Sequence, residues 1–560
     1  MARMTGSRAF AEMMQGYGVS HVFFVPLVLP KGLVEMEDMP IRRIMTHGEK
    51  AAAYMADGYA RASGKPGVCL AQVVGGSNLA AGLRDARMNG TPIIAISGGA
   101  VPQMRYRHAY QDLSEDFNQF GPVTKFSARV ETVSRFPELL RQAFREATSG
   151  APAPVYLQVQ GPFGDVTEQE SELDPFVEPQ FARAPAFRIE PDMERVRDVA
   201  ARLAAAKRPV IVAGGGVVTS RAEQEVVELA ERMQIPVVTS LNAKAVINDT
   251  HPLAAGISGL YSRDCANFVL HEADLVFFIG SHTGGQVTHG WRFPPARTPV
   301  IQLDIDPAEL GRNYRNVASI LGDAKSSLRR LIDIAGRKTP ESAAPWVGRV
   351  QQLVAQWRAE QAPMLESDAA PLRPERLCKE ISDTLPPNGV VVSDTGHAGI
   401  WTGAMISLRH PTQRYFRCAG SLGWGLPGAI GVKCALPDDP VLCFTGDGGL
   451  YYHIAELETA SRYGINIVVV VNNNSSLNQE ITVYDQAYGG KQRGRAAELW
   501  RFPERNFAQL AEGFGCAGIR VTDPRDLKGA LVKAFRLDKP VVIDAVTDTY
   551  AFAAAPKLPA

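Results

Sequence analysis

Short apolar runs rich in β-branched residues alternate along this chain with longer stretches whose apolar positions recur at helical spacing. The runs fall at residues 21–25, 68–71, 93–97 and 155–159, then at 210–213, 237–239, 275–279 and 300–303. A last group lies at 390–393, 441–445, 465–471 and 541–544. An unbroken apolar run marks a strand buried on both faces, and helices placed between such strands make the sheet parallel. Thr5 is placed to cap a helix leading into the first strand. Two stretches break the alternation. Residues 163–193 carry Pro175, Pro179, Pro185 and Pro191 among acidic residues and read as an extended connector, and residues 337–345 are short and polar. The pattern therefore predicts an α/β chain of three doubly wound parallel-sheet domains, at residues 1–170, 190–336 and 365–550.

Composition changes this picture little. In 560 residues, 45% hydrophobic and 21% charged content is ordinary for a globular protein. The 59 basic and 59 acidic residues cancel, so no general field favours nucleic acid or an anionic membrane, and neither is expected as a partner. Seven scattered cysteines without CxxC spacing predict buried free thiols in a reducing compartment. The first ten residues lack the apolar core of a signal peptide, and no apolar run approaches the ~20 residues needed to span a bilayer, so the expected location is cytoplasmic.

The most informative stretch is a strand ending in Thr445-Gly446-Asp447-Gly448-Gly449, a helical segment expected from near Leu450 to about Tyr463, and a second strand ending in Asn472-Asn473-Asn474-Ser475-Ser476. In one strand–helix–strand unit both carboxyl ends lie on the same sheet edge, so Asp447 and Asn474 can meet there. A carboxylate and an amide oxygen suit a hard divalent cation that shares its ligands with a phosphate. Glycines beside Asp447 let backbone approach that phosphate, and the following helix start favours an anion. Each half alone is also what an ordinary turn and an ordinary loop contain.

Gly-Asp-Gly, an interval of 24 residues from Gly449 through Asn472, then Asn473-Asn474, resembles the cofactor signature of the thiamine diphosphate enzymes. The resemblance implies thiamine diphosphate and Mg2+ as cofactors, with Asp447, Asn474 and the Ser476 carbonyl on the metal and Gly446, Gly448 and Gly449 beside the diphosphate. The family needs a glutamate to activate the cofactor's aminopyrimidine. Glu49, in Thr46-His47-Gly48-Glu49 and followed by a small-residue helix closing on Gly58-Tyr59-Ala60-Arg61, resembles it. A glutamate stabilising a helix start is the plainer alternative. The family often has His directly before this glutamate; here that place is Gly48, and His47 receives no role. Gly396 and His397 resemble a second diphosphate loop. Gly420 and Leu422 resemble the aminopyrimidine segment, with a core position as the alternative for Leu422, and Asn78 is placed among the cofactor contacts. Because the glutamate and the metal site come from different subunits in this family, the resemblance implies a homodimer or homotetramer.

The resemblance is to the acetolactate synthase-like branch and covers nearly the whole chain. It implies a carboligase or lyase that forms or cleaves a C–C bond beside a carbonyl of a small-molecule acyloin or 2-oxoacid substrate. The alternatives are a 2-oxoacid decarboxylase and an oxalyl-CoA-type decarboxylase. No histidine stands within Ala71 to Asn78 to relay protons as in simple decarboxylases, and Val25-Pro26-Leu27-Val28-Leu29 replaces family glycines by bulky apolar residues. Gln111 and Glu480 are the remaining polar candidates for catalysis, with a solvated loop carboxylate as the alternative for Glu480. Ala213-Gly214-Gly215-Gly216 in the central segment resembles a flavin-holding turn of this branch. A bare glycine-rich turn is weak ground for FAD, which is weighed but not favoured.

Overall fold

The computed structural model describes residues 2–559 except Ala109, Asp112, Ser114, Ala554 and Ala555. The apolar runs become strands of three six-stranded sheets flanked by helices, and every pairing within these sheets is parallel. In spatial order the N-terminal sheet is Arg42–Met45, His21–Phe24, Gly67–Ala71, Ile93–Gly99, Val155–Gln160 and Phe126–Val130. The C-terminal sheet has the same winding: Arg414–Arg417, Val390–Ser393, Val441–Gly446, Val468–Asn473, Val541–Val546 and Ala517–Val521. The central sheet is wound differently, as Ala254–Ile257, Val237–Thr239, Pro209–Ala213, Leu275–Ile279, Val300–Asp304 and Asn316–Leu321. In each sheet the order reverses beside its first strand, and ligands of such sheets sit outside the carboxyl ends of the strands at that reversal.

All twelve expected strands are inner strands, four to each sheet, and the six missed ones are edges. Inner strands are covered on both faces and need an unbroken apolar run. Edge strands such as Phe126–Val130 and Ala517–Val521 are half-exposed along most of their length and mix charge with apolar residues. The expected Thr5 cap is present, with its hydroxyl accepting from Arg8 N at 3.1 Å.

Four expectations need correction. The strand expected from residue 465 starts at Val468, and the helix expected from Leu450 starts at Asp447 itself and runs to Tyr451. The polar break at 337–345 is mostly helix: Pro340–Leu365 begins where Thr339 caps Ser342 N and proline occupies the first turn. Its Trp346, Val350, Leu353 and Trp357 share one buried face against the central domain, a helical spacing that outweighs the polar start. The connector at 163–193 is not wholly extended, since it turns at Asp165–Glu168 and Pro179–Ala182, and between them Glu170–Leu173 pairs antiparallel with Ala2–Thr5. Among the described residues no helix is long and apolar enough to cross a membrane.

One apolar core runs from the N-terminal into the C-terminal domain. At its centre helix Glu49–Ser63 crosses helix Gly425–Ala435 with backbones in contact. A Cβ on Gly58 would lie 2.1 Å from Gly428 O, and one on Gly431 would lie 1.9 Å from Met55 O. Beside the crossing, buried Trp424 donates from Nε1 to Asp57 Oδ2 at 2.8 Å, and burial pushes the Asp57 carboxyl up to about 6.

Gly58→Ala is therefore expected to cost about 2 kcal/mol or more of stability, because carbonyl backbone cannot yield to the added methyl. Gly529→Ala, in helix Leu527–Arg536 with open space around an added Cβ, is expected to gain roughly 0.5–1 kcal/mol. Thermal unfolding of the two variants side by side by circular dichroism checks both signs.

Candidate cofactor site

The C-terminal sheet pairs Gly446 with Asn472 in register, so the chain leaves two neighbouring strands side by side at their carboxyl ends. There the structure brings Asp447, Asn474 and Ser476 together. Ser476 N donates to Asp447 Oδ2 at 3.0 Å and lies 3.1 Å from Asn474 Oδ1, which also accepts from Ser476 Oγ at 2.9 Å. Ser475 takes a left-handed backbone, φ +54°, which turns the loop back over Asp447. The carbonyls before Ser476 are used: Asn474 O accepts from Thr549 Oγ1 at 2.8 Å and Ser475 O from Phe502 N at 2.8 Å. Ser476 O accepts from none of the described residues.

Burial pushes the Asp447 carboxyl up to about 7, against the lowering effect of Gly448, Ser476 and Ser475 N–H groups. A nearby cation would reverse that cost. Among the described residues no cluster of three or more His, Cys, Asp or Glu is arranged to hold a metal. One carboxylate, one amide and one unused carbonyl form a partial oxygen set, which is what a hard cation takes when phosphate oxygens complete its shell. The residues thus fit magnesium held jointly with a diphosphate.

The neighbouring loop is organised by Asp394, two residues before Gly396, whose task the sequence does not mark. Its carboxylate is fully buried. Oδ1 accepts from Thr395 N at 2.8 Å and Gly423 N at 3.0 Å, and Oδ2 from Gly425 N at 3.2 Å and Thr445 Oγ1 at 3.1 Å. Burial raises its pKa to about 6. This changes the reading of the glycines. A Cβ on Gly449 would lie 2.9 Å from Asp394 Oδ2 and one on Gly448 2.5 Å from Leu477, so both make room for protein, whereas Gly446 borders open space. Gly396, at φ +68°, starts helix His397–Met405. His397 Nδ1 is 2.7 Å from Asn478 Oδ1, while Asn478 Nδ2 is spent on Thr549 O and Ala551 O. His397 therefore donates from Nδ1, leaving Nε2 free, and burial lowers its pKa.

Segment 419–422 is held from the N-terminal domain. Asp85, buried in helix Gly76–Asn89, accepts from Ala419 N at 2.8 Å and Gly420 N at 3.1 Å. Gly420 O accepts from none of the described residues, and Leu422 is half-buried rather than core. A lone aspartate in a helix carries no sequence signal, so Asp85 was invisible before the domains were assembled.

Glu49 opens its helix at the carboxyl edge of the N-terminal sheet. Its Oε2 accepts from Asn78 Nδ2 at 3.1 Å, and a Cβ on Gly75 would lie 2.4 Å from Oε1. His47 is occupied elsewhere, with its N on Glu456 and its Nε2 on Glu458. Within the chain no hydrogen bond joins Glu49 to the Asp447 cluster among the described residues. Gln111, at φ +58°, donates to Tyr110 OH at 3.0 Å and hydrogen-bonds neither group. Glu480 is exposed at the end of the turn Asn478–Glu480, so the burial that an acid–base role would require is not present in the chain, which favours the solvated alternative.

The central sheet has its own cavity of about 250 Å3 at the reversal point, lined by Gly215, Ser281 and Asp304 of the central domain and by Asn89 and Arg417 of the others. Gly214 and Gly216 are demanded by packing on Gly280, and Gly215 and Gly216 both line the space. Arg417 is 1% exposed, with Gln286 Oε1 and Ala419 O at 3.3 Å; its Nε has no partner and no carboxylate pairs with it among the described residues.

Comparison with known proteins agrees with this geometry domain by domain. Residues 4–120 match the thiamine pyrophosphate enzyme N-terminal TPP binding domain, residues 196–331 the central domain, and residues 394–545 the C-terminal TPP binding domain. The chain is 32% identical to the probable acetolactate synthase large subunit of Methanocaldococcus jannaschii, over 97% of this chain and 92% of the relative. It is 31% identical to the acetolactate synthase isozyme 1 large subunit of Escherichia coli, over 97% and 93%. With the Corynebacterium glutamicum acetolactate synthase large subunit the identity is 30%, over 97% and 86%. Three matched domains in order, on three sheets of the expected kind, mean that the chain belongs to the thiamine pyrophosphate enzymes and depends on that cofactor for its catalysis.

Proposed function

We propose that the chain is an acetolactate synthase-like carboligase or lyase using thiamine diphosphate and Mg2+. The observation that carries the magnesium assignment is the convergence of Asp447, Asn474 and the unused Ser476 carbonyl on one sheet edge. Those three groups hold the metal. Gly446 lets backbone approach the diphosphate, while Gly396 and the free Nε2 of His397 face it from the second loop. Gly420 would offer its carbonyl to the aminopyrimidine, and Leu422 would pack against the cofactor. When bound, the cofactor supplies the carbon nucleophile that makes or breaks a bond beside a carbonyl. Glu49 holds and exchanges a proton at its carboxylate with the pyrimidine ring nitrogen, and Asn78 orients that carboxylate. No hydrogen bond joins Glu49 to the Asp447 cluster among the described residues of one chain, which supports a counterpart supplied by a second copy, as a homodimer or a pair of dimers.

The substrate wall is apolar. Leu27 and Leu29 hold left-handed backbones at φ +69° and +44°, conformations that disfavour side chains, and Leu27 is 56% and Val74 51% exposed on the N-terminal sheet's carboxyl side. Strain kept at a ligand edge supports a selected pocket shape, narrower and drier than one for a small 2-oxoacid acceptor. A decarboxylase ending in simple protonation is less well supported, since no histidine lies within residues 71–78. A second reading, a ligand carrying a nucleotide in the central domain, is favoured by the buried Arg417 guanidinium on the central cavity, which has no carboxylate partner among the described residues. A flavin would be one such group.

Incubation with thiamine diphosphate, magnesium and a panel of 2-oxoacids and acyloins is expected to yield coupled or cleaved ketols; carbon dioxide with free aldehyde alone would replace this reading by decarboxylation. Glu49→Gln is expected to slow deuterium exchange at the cofactor's reactive carbon by roughly 100-fold or more while magnesium-dependent cofactor uptake persists. Because the Asp447 carboxyl titrates at about 7 and only its ionised form binds a cation, magnesium affinity should fall about tenfold per pH unit below that point and level off above it. Calorimetry across pH checks the slope, which Asp447→Asn should abolish together with most of the affinity. Mass spectrometry of the denatured, freshly purified protein tests the central cavity for a released nucleotide.

A further inference from the structure

The carboxyl ends of the N- and C-terminal sheets carry Asp447 and Glu49. At the opposite edge, where strands His21–Phe24, Arg42–Met45, Val441–Gly446 and Val468–Asn473 begin, the two domains enclose a crevice of about 610 Å3. Four cations line it, Arg42 from the N-terminal domain and Lys433, Arg536 and Lys539 from the C-terminal domain, against two carboxylates, Asp438 and Asp538. None of the six forms an ion pair among the described residues. Their contacts are with uncharged groups: Arg42 donates to Tyr463 O at 2.9 Å, Lys433 to Asp439 O at 2.8 Å, and Asp538 accepts from Asn466 Nδ2 at 2.6 Å. A concave wall with an excess of two positive charges focuses its field on an anion.

A second, independent feature lies at the back of the crevice. His21 lines it, yet the residue is only 7% exposed and its Nε2 is buried without a partner. Its Nδ1 lies 2.9 Å from Ser20 Oγ, which is 2.6 Å from Tyr59 OH, and the ring packs between Phe23 and Tyr59. Ser20 and Tyr59 can each donate or accept in this relay; in the arrangement in which Ser20 Oγ donates to Nδ1, Nε2 carries the proton and lacks only an acceptor. A buried donor left unmatched is costly, so an acceptor is the missing part of this wall.

We propose that this crevice binds a small, multiply charged anion, a phosphate ester or a di- or tricarboxylate, with Arg42, Lys433, Arg536 and Lys539 as counter-charges and His21 Nε2 as the buried donor. The volume is that of a small-molecule site. Because the walls belong to both domains, occupancy ties their seam together at the edge away from the cofactor, and binding is independent of whether the chain joins, cleaves or decarboxylates its substrate.

The test uses full-length protein saturated with thiamine diphosphate and magnesium, so that the cofactor site is filled, and calorimetric titration at fixed ionic strength with inorganic phosphate in one arm and succinate in the other. Saturable binding of either probe is expected, and which one binds separates a phosphate ligand from a carboxylate one. Arg536→Gln/Lys539→Gln removes two exposed cations without disturbing the core and should weaken that binding by about tenfold, and His21→Gln should weaken it as well. Turnover and cofactor uptake of the double variant should match the parent. Heats that never saturate for either probe, or an affinity the double variant leaves unchanged, overturn the proposal.

Discussion

The cofactor edge depends on a single buried carboxylate. Asp394 accepts from its own loop, from the loop before helix Gly425–Ala435 and from the strand that carries Gly446, so three segments far apart in sequence share one set of oxygens. A carboxylate in such a place is costly unless every lone pair is matched, and here four donors match it. The glycines at 425 and 449 follow from it, since a side chain at either would collide with Asp394. Asp85 does the same across the domain boundary by holding the backbone of 419 and 420, so that segment is positioned by two domains at once.

What could be read from the sequence, and what could not, divides along physical lines. Strands with both faces covered, such as Leu275–Ile279, need unbroken apolar runs and were legible; half-exposed edges such as Asn316–Leu321 carry no such signature. The meeting of Asp447 with Asn474 was legible because strand–helix–strand winding dictates it. The tasks of Asp85 and Asp394 were not, because their partners are backbone N–H groups, which every residue has and no motif records. Glycine was the least transparent letter. Gly214, Gly448 and Gly449 read as room for a ligand, yet each makes room for neighbouring protein; Gly216 packs on Gly280 and also lines the central cavity beside Gly215, and Gly446 faces open space.

The two faces of the N- and C-terminal pair have different tasks. At the carboxyl edge most polar groups are matched to one another; among the described residues the Ser476 and Gly420 carbonyls, His397 Nε2, Asn472 Oδ1 and Thr547 Oγ1 have no partner, and the first three are the contacts proposed for the cofactor. The amino edge leaves cations and a buried imidazole nitrogen unmatched instead.

Helices Glu49–Ser63 and Gly425–Ala435 occupy equivalent places in two identically wound sheets, and their contact is reciprocal: Gly58 meets the carbonyl of Gly428, and Gly431, three residues on, meets the carbonyl of Met55, three residues before Gly58. The chain thus contains a local pseudo-twofold axis, and the crossing of these two unlike helices imitates an isologous joint inside one molecule. Such a joint is saturated by its own two halves. Neither helix has that face left for another copy, so any higher assembly must be built from the remaining surfaces of the domain pair.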